Sequence, residues 1–154
     1  MPFETPFAEA VFTFEDLQAV PHEHPAPGLP LADPTTIIRT DQSWAVQVSW
    51  RNTGLATGMI DGQWHLHVFA ESLGPGAEVM LTDLPEDHIF DLEPGPAPSY
   101  NRHFHVNAGA LPVGPAGVTL YKLVTSLTYI DAAGNRGPMA AYVEGPIIQV
   151  YDPN

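Results

Sequence analysis

The spacing of the histidines in this chain is suited to binding a metal ion. Six of the seven histidines form three His-x-His pairs, namely His22 and His24, His65 and His67, and His103 and His105. On a β-strand, residues two apart project from the same face. A pair on a strand can therefore offer two imidazoles to one ion, and neutral imidazole binds zinc, copper, iron and nickel. We expect no cofactor, and one divalent transition metal, such as zinc, is the alternative.

The second pair begins a segment that resembles the first motif of the cupins, a family of metal-binding β-barrels. Its sequence is His65-Leu-His-Val-Phe-Ala-Glu71, in which a glutamate follows the His-x-His after three residues. The resemblance implies a metal-dependent enzyme in which His65, His67 and Glu71 are ligands. It also implies a fourth ligand from a later histidine, for which His103 and His105 are the candidates.

The competing interpretation is that the histidines are polar positions on exposed strand faces. His65 and His67 alternate with Trp64, Leu66 and Val68, so the histidines are expected to face outward. In a two-sheet sandwich, the second and third pairs would lie on different sheets, and a four-histidine site within one monomer would be impossible. His22 and His24 belong to a proline-rich stretch, where a surface or interface position is the expectation.

Composition limits the partners of the chain. Eighteen acidic residues and five basic residues give a net charge of −13, which argues against nucleic acid and anionic membranes as partners. No run of about 18 apolar residues suggests a membrane span. The chain has no cysteine, which excludes disulfides and fits a cytoplasmic location.

Short β-strands are predicted throughout the chain. Seventeen prolines and thirteen glycines interrupt it at short intervals, which disfavours long helices. Alternating apolar and polar residues predict strands at 44–50, 63–69, 102–108, 118–130 and 139–151, the last bent or bulged at Gly145-Pro146. A further strand is predicted at 10–20, and the proline-rich residues 21–34 that follow it should form an extended connector.

These strands predict an all-β protein of the immunoglobulin or fibronectin type III-like class. We expect an antiparallel β-sandwich at residues 35–154, preceded by an arm at residues 1–34 that contains the first strand and the connector. Leu111-Pro-Val-Gly114 precedes Tyr121, which resembles the tyrosine corner of that class. The resemblance implies that the Tyr121 hydroxyl bonds back to the preceding loop and that Trp64 is the core tryptophan. The fold itself implies no function.

The predicted function is that of a non-catalytic structural or protein-interaction module, which is a homo-oligomer or docks another protein. The arm presents Phe12, Phe14 and Leu17 and could cover a neighbour or pair with its own sheet. If the arm binds in trans, deleting residues 1–30 should leave the sandwich folded and reduce the oligomer to a monomer. The metal-dependent enzyme described above is the alternative, and an assembly controlled by outward-facing histidines is a third hypothesis.

Overall fold

The computed structural model describes residues 3–4, 12–23, 30–81, 89–93, 95 and 97–154, and in these residues the chain is all-β. The strands are β1 (Phe3–Glu4), β2 (Thr13–Glu23), β3 (Ile37–Arg39), β4 (Trp44–Thr53), β5 (Gln63–Ser72), β6 (Val79–Leu81), β7 (Ile89–Asp91), β8 (Ser99–Val106), β9 (Val118–Ile130) and β10 (Arg136–Tyr151). No helix in the described part of the chain is long and apolar enough to cross a membrane. The all-β prediction is confirmed.

The strands form two sheets. The larger sheet has the order β1-β10-β9-β5-β6, with β3 also paired to β10 and β7 also paired to β5. It is a mixed sheet because β3 runs parallel to β10, and it curls into a half-barrel. The smaller sheet is antiparallel and has the order β2-β4-β8.

The hydrophobic core lies where alternate residues of the strands point inward. On β4 these are Trp44, Val46, Val48 and Trp50, and each is at most 3% exposed. On β5 they are Trp64, Leu66 and Val68, and all three are fully buried. The inward faces predicted from the alternation of apolar and polar residues are confirmed for both strands. Burial of such side chains is the main force that holds the strands together.

Strand β2 belongs to the smaller sheet of its own chain. It pairs antiparallel with β4 from Thr13 to Glu23, and a bulge interrupts the pairing between Glu15 and Gln18. Asp16 lies in this bulge with φ of 57°. The strand extends beyond the predicted end at residue 20 and includes Pro21, which an edge strand can accommodate. The predicted boundary between an arm at residues 1–34 and a sandwich at residues 35–154 stays a prediction.

Tyr121 makes the bond that its resemblance to a tyrosine corner implies. Its hydroxyl donates a hydrogen bond to the carbonyl oxygen of Pro112, at 2.6 Å, while its ring is 2% exposed. Burial raises the pKa of Tyr121, so the hydroxyl keeps its proton and remains a donor at neutral pH. The bond ties the loop before β9 to the core.

Replacing Tyr121 by phenylalanine is expected to lower the free energy of unfolding by about 1 kcal/mol, because one intramolecular hydrogen bond is lost without a change in packing. For a chain of this size, that corresponds to a fall in Tm of roughly 2–4 °C. Differential scanning calorimetry measures the change. Ser99→Ala is the control, since it removes an exposed hydroxyl from the smaller sheet and should leave Tm unchanged. Equal Tm values for Tyr121→Phe and the wild type would show that the bond contributes nothing.

Candidate functional site

His65 and His67 lie on the outer face of the larger sheet. They alternate on β5 with the buried Trp64 and Leu66. The His67 ring stacks on Phe69 of the same face, with ring centroids 6.4 Å apart and planes at 22°. Glu71, the third candidate ligand of the cupin-like segment, forms a salt bridge with Lys122, at 3.1 Å between Oε2 and Nζ. The carboxylate in the position of the third ligand is therefore already paired with a cation.

His103 and His105 lie on β8, in the smaller sheet. They alternate with Phe104 and Val106 of the core, so they project from the outer face of that sheet. The structure thus places the second and third histidine pairs on different sheets and does not bring the four imidazoles together. Among the described residues, no group of three or more histidine, aspartate or glutamate side chains is placed to hold a metal ion.

His22 lies on the same outer face as His105. The register of the smaller sheet places His22 opposite Ala45, and Ala45 opposite His105. One row of the sheet therefore carries a histidine on each side of an alanine. The sequence predicts His22 in an extended connector, and its relation to His105 depends on strand order, which local pattern does not reveal. His24, the other member of the first pair, lies outside the described residues.

The predicted interaction residues of the arm are buried within their own chain. Phe12, Phe14 and Leu17 are 1%, 3% and 6% exposed and belong to the hydrophobic core. The Phe14 ring packs edge-on against Trp64 of the larger sheet, with centroids 5.0 Å apart. In this structure Phe14 connects the two sheets, and contact with a neighbour through the three side chains would require β2 to leave its own sheet.

Large apolar side chains are exposed on the outer face of the larger sheet. We call this surface the apolar face, and its residues are between 42% and 57% exposed: Ile37, Met80, Val118, Leu120, Tyr142 and Ile147. Strands β3, β10 and β9 bring several of them together, since both Ile37 and Leu120 pair with Gln149, two residues from Ile147. Phe69 adds a half-buried ring opposite Met80.

A row of charges crosses the apolar face. Lys122 Nζ lies 3.1 Å from Glu71 Oε2 and 3.7 Å from Glu144 Oε2. The hydrogen bond to Glu71, together with the charges of both carboxylates, raises the pKa of Lys122. The lysine therefore stays charged, and the row carries one cation between two anions.

A groove extends the apolar face at one end of the sheet. It has a volume of about 580 Å³ and is lined by Val118 and Leu120 and by the two loops 72–76 and 112–116. The loops contribute Leu73, Val113 and several prolines and glycines. Val118 and Leu120 belong to both the groove and the apolar face, so the two surfaces are continuous.

The outer face of the smaller sheet has a different chemistry. Gln47 donates a hydrogen bond from Nε2 to Oδ1 of Asn101, at 3.0 Å, and Arg51 forms a salt bridge with Glu15. Polar side chains on this face are thus bonded to each other across strands. Of the two outer sheet faces, the apolar face therefore exposes more large apolar side chains among the described residues.

Comparisons with known proteins add little to these observations. No family model matches the chain, and no curated protein matches it. The chain is similar to the crystal structure of a Bordetella pertussis protein provisionally assigned as ApaA, with a TM-score of 0.36 and 14% sequence identity. The similarity covers 94% of this chain and 97% of that one, and at this TM-score it carries no argument about function.

Proposed function

We propose that the protein is a non-catalytic interaction module that self-associates through the apolar face. The observation that supports the proposal is the concentration of exposed apolar side chains on one of its two outer sheet faces. Covering such side chains removes apolar area from water, which stabilises a complex by about 25 cal/mol for each Å². Several large apolar side chains exposed on one face of a folded chain are typical of a protein-interaction surface.

Charge distribution supports a second copy, rather than a basic protein, as the occupant of this face. The face carries one lysine between two glutamates, so little net charge has to be buried or matched. Four of the five basic residues of the chain form salt bridges with its own acids: Arg39, Arg51, Arg102 and Lys122. The net charge of −13 would limit further aggregation.

Replacing Leu120 and Ile147 by glutamate is expected to dissociate the oligomer. Both side chains are about half exposed, so the folded monomer tolerates the change, whereas burial of two carboxylates against a second copy does not. We expect the dissociation constant to rise at least a hundredfold, which is about 2.7 kcal/mol. Sedimentation velocity over a range of protein concentrations measures it.

The control for that experiment is Ser99→Glu, which adds a charge at an exposed position on the outer face of the smaller sheet. It should leave the dissociation constant unchanged. A wild-type protein that sediments as a monomer at every concentration would contradict the proposal. If Ser99→Glu raises the dissociation constant as much as the Leu120→Glu/Ile147→Glu variant does, added charge in general causes the dissociation, and the apolar face is not the interface.

Salt is expected to strengthen self-association. Two copies with a net charge of −13 repel each other, and at an ionic strength of 0.1 M this repulsion is screened beyond about 10 Å. Raising sodium chloride from 0.05 to 0.5 M should therefore lower the dissociation constant, as sedimentation equilibrium can show. A complex with a basic partner would weaken over the same range, so the sign of the salt effect separates the two kinds of partner.

We also propose that the fold is immunoglobulin-like and that the protein is cytoplasmic. The Tyr121 hydroxyl bond and the buried Trp64 support the first proposal, since both features belong to that class. The parallel pairing of β3 with β10 is an addition to the antiparallel strand pattern of the immunoglobulin-like class. The absence of cysteine supports the second proposal.

A further inference from the structure

We propose that His22 and His105 bind a transition-metal ion above Ala45, on the outer face of the smaller sheet. The site combines members of the first and third His-x-His pairs, and Glu71 and the second pair take no part in it. It lies on the sheet opposite to the apolar face, so it is independent of the proposed self-association.

The pairing register sets the distance between the two imidazoles. His22 and His105 each lie opposite Ala45, one on either side. Cβ atoms of directly opposed residues are about 4.5–5.5 Å apart, so the Cβ atoms of the two histidines are separated by about 10 Å. Each imidazole extends several ångströms beyond its Cβ, and a zinc–nitrogen bond adds about 2.0–2.1 Å. Two rings that lean over the small Ala45 side chain can therefore meet at one ion.

Burial makes these histidines different from those of the second pair. His22 is 8% exposed, His105 is 6% exposed and Ala45 is fully buried. His65 and His67 are both half-buried on the face that we assign to self-association. An ion held at Ala45 would therefore have little contact with bulk water.

The hydrogen bonding of His22 leaves one ring nitrogen available to a metal. Nδ1 lies 2.8 Å from the carbonyl oxygen of Ala32, which can only accept, so Nδ1 carries the proton and donates it. In the neutral ring this bond fixes the tautomer, with a lone pair on Nε2. This Nε2 atom is buried and has no hydrogen-bond partner among the described residues. Metal-binding histidines commonly donate their other ring N–H to a backbone carbonyl in this way.

His103 is the candidate for a third protein ligand. It lies two residues from His105 on the same strand face, opposite Gln47 in the neighbouring row. Because no described group of three such side chains is already placed around one ion, His103 would have to turn toward Ala45 when the ion binds. Water would complete a four-coordinate zinc site.

Zinc binding to the full chain, purified without a histidine tag, tests the inference. A competition titration against a chromophoric zinc indicator should give one zinc ion per chain. His22→Ala and His105→Ala should each weaken zinc binding at least tenfold and remove the rise in Tm that zinc causes in the wild type. The matched control is the double variant His65→Ala/His67→Ala, which removes a complete His-x-His pair and should bind zinc as the wild type does.

The same titration on Leu120→Glu/Ile147→Glu separates the two proposals, because a monomeric variant should still bind one zinc ion. Circular dichroism establishes that each histidine variant is folded, and His22→Gln or His105→Gln replaces the corresponding alanine variant if that variant is not folded. Wild-type affinity in the His105 variant would overturn the inference. Loss of zinc only in the His65/His67 variant would also overturn it, as would the absence of binding at 100 µM zinc.

Discussion

A chain that lacks residues 1–30 is expected to lose its cooperative fold. The deletion removes all of β2 and with it Phe12, Phe14 and Leu17, which are at most 6% exposed. Full burial of such a side chain contributes about 1.5–3 kcal/mol, so the three together contribute about 4.5–9 kcal/mol. This is comparable to the whole stability of an ordinary domain, about 5–15 kcal/mol. Urea denaturation followed by far-ultraviolet circular dichroism should show no cooperative transition.

This expectation replaces the one drawn from the sequence, in which the same deletion leaves a folded monomer. The control is complementation: a synthetic peptide of residues 10–24, added in trans, should restore the transition by pairing again with β4. A truncated chain with the same urea midpoint as the full chain would contradict the expectation and would make β2 a dispensable arm.

Sequence reasoning identified most strands and their inward faces, because alternation is a local signal. Trp44, Val48 and Leu66 are core residues as the pattern predicts, and the predicted irregularity at Gly145-Pro146 is a register shift between Glu144 and Ile147. Local signals do not specify which strands are neighbours. The place of β2 beside β4, and of β3 beside β10, depends on contacts between distant parts of the chain.

The histidine pairs and the apolar face were predictable to different degrees, because the sequence shows local spacing but does not show which strands are neighbours. The sequence reveals each His-x-His pair, since its members are two residues apart, and it correctly suggests that His65 and His103 lie on different sheets. It does not reveal that His22 and His105 share a row, because that depends on the registers of two strand pairs. The apolar face escapes sequence reasoning too, because the side of β10 on which Ile147 lies depends on the bulge between Glu144 and Ile147.

Trp64→Ala is expected to lower the free energy of unfolding by about 3–5 kcal/mol, since a fully buried tryptophan is replaced by a methyl group and a cavity remains. The Trp64 ring packs edge-on against Phe14 and Tyr129, with centroids 5.0 Å and 5.8 Å away. It therefore contacts β2 of the smaller sheet and β9 of the larger one. Urea denaturation measures the loss, and Phe69→Ala, on the opposite face of the same strand, is the control with a smaller expected effect.

The contact between Trp64 and Phe14 also explains why β2 should not behave as a separable arm. If these two rings join the sheets, the effects of Phe14→Ala and Trp64→Ala will not be additive, because either change alone removes their mutual contact. The coupling energy in a double-mutant cycle should be about 0.5–1.5 kcal/mol, as for other aromatic pairs. Additive effects would mean that β2 and the larger sheet are stabilised independently. In that case the truncated chain could stay folded, and exchange of β2 between copies would become the better account of self-association.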